Sequence, residues 1–287
     1  MKITEVPENS LIISSLLEKY KVKPCAPDSR FDKIKIAHNL DLLKLKQDID
    51  LSIKKHGRHP WLSADETNLR YTGFSINFNP DHQDQINPNA SSLGTPKNNR
   101  DQFYYNSINR HTKLKNSYFD SYGFTRRTPA ASEGYLSSIL DTCKRTIIRS
   151  RMMILDGQLF DDNTIAQYRA AQPGDSKFGW HRDEPVFVNL RINIPITGND
   201  AFVFEMLGEQ PYFLEPGFIY SWDTNKPHRV WCRQKTTVER YSLIIGVSPW
   251  FDYFPETEEW LPNQYCGKKD PMEMLKEGLI FDWLKES

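Results

Sequence analysis

The chain is predicted to be a mainly β protein with flanking α-helices, one antiparallel sandwich or barrel carrying helices on its outside in a single domain. Three observations predict this. From about residue 151 the sequence breaks into short apolar or alternating runs, punctuated by Pro and Gly roughly every 8–12 residues, the spacing of strands joined by tight turns. Before 151 it carries amphipathic segments with apolar residues at three- and four-residue intervals. No internal repeat and no flexible linker divides its 287 residues, a length that β-rich folds reach as one unit.

In order, residues 8–20 and 39–55 read as helices. In the second, "LDLLKLKQDIDLSIKKH", leucines and isoleucines are spaced to share one face with charges between them. "NLRYTGFSINFNP" (68–80) reads as a strand stopped by Pro80. The tract 81–102, "DHQDQINPNASSLGTPKNNRDQ", is too poor in apolar residues for a core and reads as a surface loop, long enough to serve as a lid. The aromatic and polar segment 103–128 is a second candidate to close over a site and carry selectivity. Residues 132–151, "SEGYLSSILDTCKRTIIRSR", read as a helix capped by Ser132. Strands are then expected at "TIAQYRAA", "VFVNLRINIPI", "AFVFEM", "EQPYFLEPGFIYSW", "HRVWC" and "ERYSLIIGVSPW", and a last helix at "DPMEMLKEGLIFDWLK". This divides the single domain into a helical and loop part (1–150), a β-core (151–255) and a C-terminal helical extension (256–287).

Composition narrows the function. The 37 basic and 37 acidic residues cancel, so no long-range field draws nucleic acid or an anionic membrane. The basic run "KKHGR" (54–58) is expected to be a solvated surface. Four cysteines lie far apart with no C-x-x-C pair, which suggests neither a disulfide framework nor a cysteine zinc site and fits a reducing compartment. With no signal-peptide layout and no long apolar run, a soluble cytoplasmic protein is expected, and the N-x-S triplet at Asn89 reads as a chance match.

The stretch "FGWHRDEPVFVNLRINIPI" (178–196) concentrates chemistry. In its second half Asn189, Arg191 and Asn193 alternate with Leu190, Ile192 and Ile194, so the polar set faces either water or a polar cavity inside a barrel. His181 and Asp183 precede that strand with one residue between them. On extended backbone they project to the same side, where an imidazole nitrogen and a carboxylate oxygen can converge on one ion. His228 is the histidine that follows a turn and opens a strand within the β-rich half. Two histidines and one carboxylate on one face leave open coordination positions, as in iron(II) oxygenases. A surface histidine and a turn aspartate would look the same in isolation. Twelve residues after His228, Arg240 lies in an otherwise apolar strand, sharing a face with Ser242. A buried guanidinium needs an anion, and a carboxylate matches its fork; a structural salt bridge is the plainer alternative. Trp180, Trp222 and Trp231 flank the ligands and read mainly as packing.

An ordered set of pieces, "QPG" (172–174), "WHRD" (180–183), "NLRINIPI", "EPGFIYSWDTNKPHRVWC" and "ERYSLIIGVSPW", resembles the aspartyl/asparaginyl β-hydroxylase group of iron(II)- and 2-oxoglutarate-dependent oxygenases, which includes enzymes hydroxylating free amino acids such as proline. The resemblance covers about a third of the chain, residues 164–252. It implies a double-stranded β-helix core of the jelly-roll, cupin type, with His181, Asp183 and His228 as iron(II) ligands and O2 as oxidant. It implies Arg240 as the clamp on the distal carboxylate of 2-oxoglutarate, helped by Ser242. It makes Arg191 a second arginine near the oxo-acid or an anchor for a substrate carboxylate, and suggests Tyr168, Arg169 and Asn189 as substrate contacts. The animal peptide hydroxylases of the group have glycine where this chain has Asp183, so the sequence sides with the bacterial amino-acid hydroxylases, and Asp183 disfavours a halogenase. Arg191 and Arg240 lie one or two residues further from their histidines than the pattern implies. The function implied is hydroxylation of an unactivated C–H bond in a small carboxylate-bearing substrate such as a free amino acid. A peptide or protein side-chain hydroxylase and a cupin-like metal protein without oxygenase activity are the alternatives.

Overall fold

The computed structural model describes residues 11–25, 28, 30, 32–62, 67–80, 87–93 and 120–284. Their elements are α1 (Leu11–Lys19), β1 (Lys33–Ala37), α2 (Leu42–His56), β2 (His59–Leu62), β3 (Thr67–Ser75), β4 (Asn77–Phe78), β5 (Arg126–Arg127), α3 (Gly134–Asp141), β6 (Ile147–Asp156), α4 (Asp162–Ala170), β7 (Leu190–Pro195), β8 (Phe202–Met206), β9 (Phe218–Trp222), β10 (His228–Cys232), β11 (Glu239–Val247), β12 (Phe251–Phe254), β13 (Glu259–Pro262) and α5 (Pro271–Lys276).

Seven strands form one antiparallel sheet in the order β1-β9-β7-β11-β6-β3-β2. Facing it is a smaller layer in which β10 pairs with β8, extended on one side by the His181–His228 bridge and on the other by the Phe204–Tyr212 bridge. Sequential strands alternate between the two layers: β6 and β7 lie in the large sheet, β8 in the small one, β9 in the large, β10 in the small, β11 in the large. That alternation makes the core a double-stranded β-helix, the jelly-roll expected.

The period-2 alternation of the central strands sorts their side chains. Ile192 and Ile194 of β7, Leu243, Ile245 and Val247 of β11, and Ile148, Met152 and Ile154 of β6 are buried in one cluster with Ile12 of α1, Leu45 and Ile49 of α2, Leu136 and Ile139 of α3, and Met272 and Leu275 of α5. Each such side chain, fully removed from water, contributes about 1.5–3 kcal/mol. The residues between them, Arg191 and Asn193, Arg240 and Ser242, Arg149 and Arg151, face the interior of the β-helix. They too are buried, so β7 lies covered on both faces and its polar side is withdrawn from water.

Several boundaries differ from expectation. The helix expected over 132–151 stops at Asp141, and β6 begins at Ile147. Its "IIRSRMMILD" carries β-branched residues and a period of two, and the inward arginines mimic the polar stripe of a helix. Ser132 is not the cap. Glu133 occupies that place without a side-chain bond, while Ser132 Oγ donates to the Thr128 carbonyl. "TIAQYRAA" is helical, not a strand: Asp161 caps α4 by accepting from the Thr164 N–H at 2.7 Å. The N-terminal part supplies more than helices and loops, since β1, β2 and β3 extend the large sheet at its two edges.

Within the tract expected as a surface loop, Ser92 and Leu93 are fully buried, and the Ser92 N–H donates to Ser75 Oγ at 2.7 Å. Residues 81–86 and 94–119, which hold most of both expected lids, lie outside the described residues. The described end of the second lid is fixed to the core. Asp120 accepts from the Ile12 N–H at 3.1 Å, and Tyr122 shares a 2.8 Å hydrogen bond with Ser248. The last helix is shorter than expected, ending at Lys276 two residues before Gly278, whose φ of +70° a side chain would resist. All four cysteines are free thiols, and no described helix is long and apolar enough to cross a membrane.

Candidate metal centre

Two chain segments meet at the mouth of the small layer. His181 and His228 exchange backbone hydrogen bonds of 3.1 and 2.9 Å, a narrow antiparallel pair that puts both imidazoles on one side. The Asp183 N–H donates to the Thr224 carbonyl at 2.8 Å, and Thr224 Oγ1 donates to the Glu184 carbonyl at 2.6 Å. The 179–184 and 224–228 segments are thus laced together by main-chain bonds. Gly179, at φ +82°, turns the chain so that its carbonyl meets its own downstream histidine.

That carbonyl accepts from His181 Nδ1 at 2.7 Å, and the Lys226 carbonyl accepts from His228 Nδ1 at 2.9 Å. Placing the proton on Nδ1 in both rings leaves both Nε2 lone pairs free, the tautomer a metal ligand needs. Asp183 Oδ2 stands 3.8 Å from His181 Nε2 and 3.6 Å from His228 Nε2, and the three ligand atoms all lie within 4.8 Å of one another. Ligands 2.0–2.2 Å from a shared ion at right angles sit about 3 Å apart, so the carboxylate oxygen already lies within about 1 Å of that spacing from each imidazole. Among the described residues no other His, Cys, Asp or Glu group is arranged in this way.

The environment is graded. His228 is buried against Trp222 and Phe204, with ring centroids 5.6 and 5.9 Å away. Desolvation by the surrounding protein, and then the neighbouring His228, push the pKa of His181 down to about 4, keeping it neutral at physiological pH. Its side chain nonetheless keeps 47% of its surface exposed. Burial alone would raise the Asp183 carboxyl. Arg191 and the two histidines together outweigh it and hold the group well below the usual carboxylate range.

Arg191 reaches the cluster itself. Its Nη1 donates to Asp183 Oδ2 at 2.5 Å, the same oxygen that faces both imidazoles. It therefore orients the Asp183 carboxylate. Asn189 Nδ2 donates to Glu184 Oε2 and Ser121 Oγ, each at 3.0 Å, and Ser121 donates to the same Glu184 oxygen, a buried network directly behind the ligand loop.

Arg240 and Ser242 project from β11 into the same interior, in line with the face that Arg191 and Asn193 occupy on the neighbouring β7. Arg240 is 6% exposed and, among the described residues, makes no hydrogen bond or ion pair. Burial pushes its pKa down to about 10. Ser242 Oγ is buried and likewise without a partner. An orphaned guanidinium and hydroxyl side by side match the end of a dicarboxylate in charge, fork and hydrogen-bonding capacity.

Tyr168 and Arg169 do not join this group. Both sit on α4, where Tyr168 packs with Phe160, Phe178 and Trp231, and the exposed Arg169 donates to the Arg233 carbonyl at 3.3 Å. The three tryptophans are packing residues: Trp180 and Trp231 sandwich the Arg229 guanidinium at 4.7 and 5.0 Å, and Trp222 backs His228. Arg149 and Arg151 escaped notice in the sequence, although their i, i+2 spacing within an apolar run is the signal of arginines on one strand face.

No protein-family model matches the chain, and no curated protein matches at a significant level. Among solved structures it is similar to the crystal structure of the non-heme alpha ketoglutarate dependent epimerase SnoN from nogalamycin biosynthesis, at 8% identity and a TM-score of 0.35 over 83% of this chain and 82% of that one. A likeness so remote leaves the site to be judged by its own distances.

Proposed function

We propose that the protein is a non-haem iron(II) and 2-oxoglutarate-dependent oxygenase that hydroxylates a small carboxylate-bearing molecule, with a free amino acid or a derivative as the substrate class. The observation that carries the reading is the convergence of His181, Asp183 and His228 with both Nε2 atoms unprotonated, together with Arg240, buried in the β-helix without a partner among the described residues. The three ligands would hold the metal facially and leave positions for the oxo-acid and O2. Iron(II) with 2-oxoglutarate and dioxygen supplies an oxidant able to functionalise unactivated C–H bonds, releasing succinate and carbon dioxide. The chain's own part is positional. Arg191 and the two backbone carbonyls fix the ligand atoms, Arg240 and Ser242 receive the distal carboxylate, and the β-helix walls limit access of water. The likeness to the aspartyl/asparaginyl β-hydroxylase group supports the same assignment and belongs to this proposal.

The test is anaerobic iron(II) titration followed by succinate release from 2-oxoglutarate, with free amino acids and small peptides screened for a mass gain of one oxygen. His181→Ala and His228→Ala are expected to lose metal and turnover together. Arg240→Ala is expected to keep the metal and raise the 2-oxoglutarate requirement. Near-normal turnover in His228→Ala would overturn the assignment. A metal-binding protein of the same fold without oxygenase activity would bind iron and leave 2-oxoglutarate unconsumed, with no use for Arg240.

A further inference from the structure

Arg151 stands on β6 in register with Ile244 of β11 and Ser75 of β3, and Ile244 in turn pairs with Asn193, two residues from Arg191. It is 6% exposed. Its Nε and Nη1 have no hydrogen-bond partner, and it forms no ion pair among the described residues. Its guanidinium lies over the Trp61 ring, 4.9 Å from the centroid, which fixes its plane without neutralising its charge. Burial, then the positive charges of Arg191 and Arg149, push its pKa well below the ordinary arginine range, and Asp183 and Glu184 only partly offset this.

The neighbouring acids are already engaged: Asp183 is bonded to Arg191, and Glu184 accepts from Ser121 and Asn189. A buried cation held by stacking, with its hydrogen-bonding fork open, is costly in an empty fold and favourable only when an anion completes it.

We infer that Arg151 forms a second anion site distinct from the Arg240–Ser242 pair, and that it anchors an oxyanionic head group of the substrate, a carboxylate or a phosphate, next to the metal ligands. The inference rests on the oxygenase reading for the word substrate, but the anion site itself does not. Arg151 lies on the strand next to that of Arg240 but faces Ile244, whereas Arg240 faces Leu155, so the two guanidinium groups are offset along the sheet and give the interior separate addresses for two acids: one for the co-substrate and one for the molecule to be oxidised.

The test uses the full chain and reads binding rather than turnover. Inorganic phosphate and malonate are titrated separately into metal-free and iron(II)-loaded protein, by calorimetry and by tryptophan fluorescence, which Trp61 reports. Wild type is expected to bind at least one of the two, and whichever binds tighter separates a phosphate head from a carboxylate head. Arg151→Met is expected to weaken that binding by about 10- to 100-fold, the loss of one charged hydrogen-bonding partner, and to leave 2-oxoglutarate affinity unchanged. Arg240→Met is expected to do the reverse. Arg151→Met without added anion is also expected to melt above wild type, because it removes a buried, unpaired charge; a merely structural arginine would make that variant melt lower. Wild-type anion affinity in Arg151→Met, a lower melting temperature, or loss of 2-oxoglutarate binding from this variant in place of Arg240→Met would each overturn the inference. Anion binding lost on Arg151→Met in a protein that consumes no 2-oxoglutarate would uphold the site and remove the oxygenase reading alone.

Discussion

Asp183→Ala separates what the ligand carboxylate does for the fold from what it does for the metal. In the folded protein Asp183 is bonded at 2.5 Å to Arg191, with side chains only 15% and 5% exposed. Removing one member of a buried ion pair leaves the other desolvated and uncompensated, at a cost of about 3–5 kcal/mol. The residual exposure of Asp183 places the expected loss near the low end, ~3 kcal/mol, and at roughly 2–4 °C per kcal/mol for a chain of this size the melting temperature should fall by about 6–12 °C. The double variant Asp183→Ala/Arg191→Met carries no stranded charge and should recover most of that loss in calorimetry. In an anaerobic iron(II) titration neither variant should regain wild-type affinity, because the third ligand is gone from both. Two results would refute the reasoning. A double variant no more stable than the single one would mean that the stranded guanidinium is not the source of the loss, and wild-type iron affinity in Asp183→Ala would mean that the ion binds elsewhere.

Three further outcomes follow from the fold. Gly73→Ala would place a Cβ 1.8 Å from the Met152 carbonyl oxygen, so β3 must part from β6; urea denaturation should show a loss of at least the ~1–3 kcal/mol typical of overpacking, and an unchanged midpoint would contradict the pairing. Asp41 caps α2 by accepting from the Lys44 N–H at 3.0 Å, so Asp41→Ala should cost about 0.5–2 kcal/mol in the same assay, with Asp41→Asn largely neutral. Burial pushes the thiol pKa of Cys143 up to about 12 and that of Cys232 up to about 11. A raised pKa leaves less thiolate at pH 8, so alkylation of both in the native protein should be slower than that of a free thiol and should accelerate as pH rises; fast labelling at pH 8 would count against their placement.

The parts of this architecture legible in the sequence are those written at short range. His181 and Asp183 sit two residues apart, His228 opens a strand, and Arg240 interrupts an apolar run; each is a local irregularity that chemistry explains. The alternation from Asn189 to Ile194 is equally visible, but whether its polar side meets water or a cavity depends on β10 and β8 lying across it, which no local pattern records. β6 was hidden because two inward arginines in a run of isoleucine and methionine look like a helix's polar stripe. α4 was hidden because its apolar residues are too few to mark a face, although the Asp161 cap was there to be read. The union of β1 with β9 joins residues far apart in the chain, and the bond from Arg191 to Asp183 turns on a side-chain direction that spacing alone leaves open.

The crossing of the 179–184 and 224–228 segments has a consequence for how the centre is filled. Because main-chain bonds, rather than the ion, hold the imidazoles and carboxylate within reach, the cradle exists before its guest arrives. On the proposed metal-binding reading, loading would be a late, reversible event on an already folded protein, unlike the obligatory co-folding of a zinc finger. Chelation should strip the centre and leave the β-helix standing, and the same cradle would admit other divalent ions of similar size. Selection of iron would then fall to availability as much as to shape.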